Sequence, residues 1–239
     1  MFDAKKLLDQ FLTSQVPGLG GTVRDRAGDA IGKARENPLA TSAILGVLLG
    51  TKTGRSIAGN TLAVGGLAAI AGLGYQAYKN YQSGSAPVTS PQVSSQGQQP
   101  VLPPPDNSPF APSSPANSNE FVLVLIRAMI AAAKADGHVD DAERALIMDK
   151  IAAADVTGEA ANFIQRELTV PTDLDALIAA AVSEEQKVEL YTASRLTIEP
   201  DTRAERGYLD LLAGRLGLAD GLVDHIEAMV VQTKNAAPQ

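Results

Sequence analysis

Lys134-Ala135-Asp136-Gly137-His138-Val139-Asp140-Asp141-Ala142-Glu143-Arg144 is the stretch on which the reading of this chain turns. It separates two apolar runs at helical spacing, and so marks the end of one helix and the start of another. Gly137 suits the position just past a helix C-terminus, where left-handed backbone costs glycine little. Asp140 and Glu143 have the spacing of a capping box, in which the first side chain accepts from the helix start and the second reaches back. Capping leaves Asp136 and His138 without a role. A looser echo follows at Glu199-Pro200-Asp201-Thr202, closed by Glu205, where Thr202 and Glu205 again have the spacing of a capping box.

Outward from this stretch the signal is helical. Phe121, Leu125, Met129 and Ala132 mark one face of a first helix, and Val122, Ile126 and Ile130 widen it. Asp141 to Ala154 reads as the second. Shorter helices are expected near Glu159 to Leu168 and Leu174 to Val182, then longer ones near Glu184 to Leu196, Arg203 to Leu216 and Asp220 to Lys234. About seven helices with no alternating pattern predict an all-α bundle over residues 120–239.

Charge divides the chain. Residues 1–119 carry nine Lys and Arg against six Asp and Glu, whereas residues 120–239 carry eleven against twenty-one. So acidic a C-terminal half repels phosphate backbones, which argues against nucleic acid and for cations or basic partners. The absence of cysteine excludes disulfides, thiolate metal sites and cysteine nucleophiles.

The N-terminal half reads as three further segments. Residues 1–36 form an amphipathic and polar helical arm, with Leu7, Leu8, Phe11 and Leu12 on one face. Residues 37–82 are a Gly/Ala-rich apolar segment. Within it Ile57 to Tyr78 is free of charge and long enough to cross a bilayer, and Tyr75, Tyr78 and Tyr81 cluster at its far end as interfacial anchors. Gly65 with Ala69 and Ala68 with Gly72 give small-xxx-small spacings that favour self-association in lipid. Lys33, Arg35, Lys52 and Arg55 before the span predict a cytoplasmic N-terminus and a periplasmic C-terminal domain. Insertion of Pro38 to Gly50 as well would instead make a hairpin. Residues 83–119 hold nine prolines and Asp106 as their only charge, the composition of a disordered linker.

At Lys134 to Asp140 with Glu143-Arg144, and at Ile198 to Asp201 with Glu205-Arg206 and Tyr208-Leu209, the chain resembles the YebE-type family of uncharacterised bacterial inner-membrane proteins. Their C-terminal half is similar to the tellurite-resistance TerB fold. The resemblance implies a TerB-like bundle with an acidic metal-binding face, preceded by a membrane segment. Glu199 stands where that family more often has Asp, and Pro200 stands between the acids.

Together these readings predict a membrane-anchored binding or structural protein of the bacterial inner membrane, acting in envelope or metal stress. Its acidic domain would bind a divalent cation (Ca, Mg, Mn or Zn) or a partner protein. The candidate ligands are Asp136, His138, Asp140, Glu143, Glu199, Asp201 and Glu205, oxygen-rich as hard cations require. A metal-dependent hydrolase using the paired acidic turns is the alternative. No nucleophile motif or phosphate-cradling loop supports it, so the expectation is a protein that is not an enzyme. His225, between Asp224 and Glu227, reads as a surface residue.

Overall fold

The computed structural model describes residues 3–13, 66–87, 103–135, 137, 148 and 158–235. Every regular element among them is a helix. In chain order these are α1 (Ala4–Thr13), α2 (Gly66–Gln82), α3 (Asn119–Ala133), α4 (Glu159–Thr169), α5 (Leu174–Ala180), α6 (Glu184–Thr197), α7 (Arg203–Leu216) and α8 (Asp220–Asn235). The expected helix over Asp141 to Ala154 lies outside the described residues apart from Met148.

The helix boundaries follow local chemistry. Ser118 caps α3 by accepting from the Phe121 amide, and Asp173 caps α5 through the Ala176 amide. Ser183 with Gln186 and Thr202 with Glu205 form complete capping boxes at the starts of α6 and α7. Gly217 ends α7 at φ 69°, a left-handed position that a Cβ would strain.

The core centres on α3 and α6, which run parallel. Near their starts Gln186 Nε2 donates to the Ala116 carbonyl at 2.8 Å and Asn117 Nδ2 donates to Glu189 Oε1 at 3.3 Å. Further along, Ser194 Oγ meets the Ala128 carbonyl at 3.5 Å. Leu125, Ile126 and Met129 of α3 and Leu190 and Leu196 of α6 are fully buried in this core. Arg127 lies over the Phe163 ring at 5.1 Å and pairs with Glu167 at 2.9 Å, seating α4 on α3.

The described part of the Gly/Ala-rich segment, α2, does not stand apart from this bundle. Ile70 and Leu73 of α2 are fully buried in the same core as the C-terminal helices, together with Leu67 and Ala77. A Cβ on Gly74 would meet Val188 Cγ1 at 3.1 Å, so the bare backbone lets α2 approach α6 closely. At the far end Tyr81 lies against Gly221 and edge-on to His225, joining α2 to α8. The stripe expected to pair copies in lipid is thus occupied within the chain: Ala68, Ala69 and Gly72 are buried, and Gly65 lies outside the described residues. As described, α2 has seventeen residues, about 25 Å of helix against roughly 30 Å of hydrocarbon. No helix among the described residues is long and apolar enough to cross a membrane.

Helix α1 lies on the same core. Leu7 and Leu8 are buried, the Ala4 amide donates to Asn119 Oδ1 at 2.7 Å, and Lys5 Nζ donates to the Pro112 carbonyl at 2.9 Å. Asp9 Oδ1 accepts from the Gly66 amide at 2.7 Å. That carboxylate satisfies an orphan donor at the start of α2, as a capping residue would, from a distant part of the chain.

The second half of the expected disordered linker is also built onto the bundle. Residues 105–117 form four successive turns, in which the amides of Ser108, Ala111, Ser114 and Asn117 donate to the carbonyls three residues earlier, at 2.8 to 2.9 Å. Pro109, Pro112 and Pro115 hold the second position of the last three turns, where a fixed φ near −65° is already the turn value. Phe110 is buried, with its ring 5.9 Å from that of Tyr75 and 5.7 Å from that of Tyr78. The tyrosines expected as interfacial anchors therefore pack on protein at 75 and 78. Residues 88–102, in the first half of the expected linker, lie outside the described residues.

Candidate functional site at the shared end of α3 and α6

Because α3 and α6 are parallel, they end at the same end of the bundle, and the turn Glu199 to Thr202 starts there. Of the expected ligands, Asp136, His138, Asp140 and Glu143 lie outside the described residues. Glu199, Asp201 and Glu205 are described, and their surroundings can be taken in turn.

Glu205 is a capping residue. Its Oε2 accepts from both the amide and the hydroxyl of Thr202 at 2.9 Å, and its own amide donates to Thr202 Oγ1 at 3.1 Å. It is 8% exposed, so moving its carboxylate to an outside ion would uncap α7. Asp201 is exposed, and its amide donates to the Glu199 carbonyl at 2.7 Å. Arg206 Nη1 closes the turn from below with bonds of 2.8 Å to the carbonyls of Pro200 and Asp201.

Glu199 belongs to an ion network whose other members carried no sequence signal as a group. Lys234 Nζ lies 2.7 Å from Glu199 Oε1 and 3.0 Å from the Ile198 carbonyl. Arg195 Nη1 donates to that same carbonyl at 2.8 Å and lies 4.0 Å from Glu199 Oε2. Its Nε is 2.5 Å from Glu227 Oε2, while Tyr191 Oη donates to Glu227 Oε1 at 3.0 Å. Two cations thus meet two carboxylates, and both cations cover the C-terminal carbonyl end of α6, where the helix dipole favours positive charge. Arg195 is 2% exposed. Burial lowers the Lys234 pKa, and the Glu199 carboxylate opposes that shift. Tyr191 is raised by burial first and by Glu227 second, which keeps its hydroxyl a donor.

Lys134, the first residue of the motif, is spent on α4. Its Nζ donates to the Glu167 carbonyl at 3.2 Å and to the Val170 carbonyl at 2.5 Å, with its pKa lowered by burial. Among the described residues no group of three or more His, Asp and Glu side chains is arranged to hold a metal ion.

His225 is a correction to the surface reading. It is 6% exposed, with Nδ1 2.6 Å from the Gly221 carbonyl and Nε2 2.9 Å from the Ser85 carbonyl, because the end of α2 covers this part of α8. Sequence periodicity within α8 alone does not reveal a neighbour 140 residues away.

A family profile described as "Protein of unknown function (DUF533)" matches residues 34–230, from ahead of the glycine-rich segment to the last helix. The chain belongs to the DUF533 family. The match spans both the α2 segment and the acidic helices, the same elements that share one core. An uncharacterised protein in the ampR 5′ region of Yersinia enterocolitica is 30% identical over 118 residues, which covers 49% of this chain and 85% of that protein. No solved structure matches this DUF533 chain.

Proposed function

We propose that this protein is a non-catalytic binding module at the bacterial inner membrane, and that its TerB-like acidic bundle docks a basic partner protein. One observation supports this reading above the others: the described surface of the C-terminal half exposes more carboxylates than cations. Arg195, Lys234, Lys134, Arg127 and Arg206 lie on carboxylates and carbonyls of their own bundle, and Arg215 pairs with Asp175. Asp201, Asp210, Asp220 and Asp224 remain exposed. The outward field is therefore acidic, and such a field attracts basic surfaces.

The same geometry weighs against a divalent ion at the second turn. An ion there would have to displace Lys234 from Glu199 and uncap α7 at Glu205. Membrane proximity is retained with a changed topology. Since α1 and α2 pack on one core, a chain that entered the bilayer between them would leave and return on the same side, as a hairpin does.

Calorimetric titration of the full chain tests the reading. A lysine-rich helical peptide is expected to bind with an affinity that falls steeply between 50 and 300 mM salt, and its glutamate-rich counterpart to give no heat. Stoichiometric heat with Ca²⁺, Mg²⁺, Mn²⁺ or Zn²⁺, and none with the basic peptide, would replace partner docking by metal binding.

A further inference from the structure

Where α2, the turns of residues 105–117 and α6 meet, three oxygen-bearing side chains are buried together. Glu189 is 1% exposed, Asn117 1% and Thr192 0%. Glu189 and Thr192 are one turn apart on the same face of α6. Asn117 stands at the carboxyl, donating Nδ2 to Glu189 Oε1 at 3.3 Å and to the Ala111 carbonyl at 3.0 Å. Asn117 Oδ1 and Thr192 Oγ1 are both buried with no hydrogen-bond partner. On the α2 side a Cβ on Gly74 would stand 3.6 Å from Thr192 Oγ1, beside Val188 and Phe110.

A buried polar atom left unpaired costs on the order of 1–3 kcal/mol, so two in one cluster call for an explanation. The cluster is rich in acceptors and poor in donors. No Lys or Arg among the described residues pairs with the Glu189 carboxyl, and the charged neighbour that acts on it is a second carboxylate, Glu185. Such a site selects a guest that brings positive charge and accepts oxygen ligands.

We propose that Glu189, Asn117 and Thr192 form an interior binding site for one small monovalent cation of the sodium class. Carboxylate, amide carbonyl and hydroxyl oxygens are hard ligands, which suit alkali and alkaline-earth ions over soft transition metals. Electroneutrality decides between the two: one carboxylate balances a single positive charge, whereas a divalent ion would leave a net charge buried. The ion would tie α2 and the 105–117 turns to α6, so its binding free energy adds to the stability of the assembled bundle.

Thermal unfolding of the full chain at pH 8.5, in 200 mM sodium chloride or 200 mM choline chloride, tests the site. For a millimolar site the expected midpoint in sodium is about 5 °C above that in choline. Glu189→Gln, which keeps the shape and removes the charge, abolishes the difference. Thr192→Val, which removes one oxygen ligand at nearly constant volume, at least halves it and guards against a folding defect in the first variant. Equal midpoints in the two salts for the wild type would overturn the site. An undiminished sodium increment in Glu189→Gln would also do so, by placing the effect on the general surface.

Discussion

Replacing Arg195 with Met tests whether the ion network at the end of α6 holds the bundle together. The guanidinium is 2% exposed and has a carboxylate at 2.5 Å and a carbonyl at 2.8 Å. Breaking a buried pair by removing one partner costs about 3–5 kcal/mol, because the other charge stays behind. Here the remaining Glu227 side chain is 32% exposed and keeps the Tyr191 hydroxyl, and Lys234 still covers the Ile198 carbonyl. The expected loss therefore lies near the lower end, about 3 kcal/mol. Glu227→Gln leaves a more deeply buried charge and should cost as much or more. In the double variant no unpaired charge remains, so the two losses should fall short of additive by roughly 1.5 kcal/mol or more. Urea unfolding followed by helical circular dichroism measures all three. With a slope of about 2–3 kcal/mol per molar, the Arg195→Met midpoint should fall by about 1 M. Additive single effects, or a loss below about 0.5 kcal/mol for Arg195→Met, would show that the network is a solvated surface arrangement.

Two other perturbations probe the α2 contact. Burial pushes the Glu189 carboxyl up to about 8 from an ordinary 4.5, so the folded state holds its proton more tightly than the unfolded chain does. Stability from this group is full below about pH 4.5 and falls as pH rises towards 8, by up to about 4 kcal/mol in sodium-free buffer. Glu189→Gln should flatten that slope in a urea series from pH 5 to 9, and an unchanged slope would refute the assignment. Gly74→Val sets a branched side chain against Val188, Phe110 and Thr192, and overpacking of this kind costs about 1–3 kcal/mol. If urea unfolding shows no loss, α2 does not pack closely on α6.

The helices of the C-terminal half were legible because their signals are local. The periodicity of Phe121, Leu125 and Met129 places α3, and the Thr202–Glu205 spacing places the start of α7, where the structure has both. The network at Arg195 was not legible, since Glu227 and Lys234, which complete it, sit on another helix and each alone reads as a surface charge. The turns of residues 105–117 carried a signal that composition conceals. A proline count suggests disorder, whereas prolines at every third position, 109, 112 and 115, mark consecutive turns, with Phe110 between the first two as an apolar anchor.

The glycine-rich segment shows most clearly why composition alone left the architecture open. Small residues let helix backbones approach in lipid, and the same property lets α2 lie against α6 at Gly74 within protein. Both environments reward a charge-free helix with glycine and alanine on its contact faces. What separates them is the availability of an apolar partner. The linker reading removed that partner by setting residues 83–119 between two independent units. Once Phe110 and Asn117 are seen to pack on α2 and α6, the partner is the chain itself. The Asp9 carboxylate points the same way, since by capping the first amide of α2 it ties α1 and α2 to the same core.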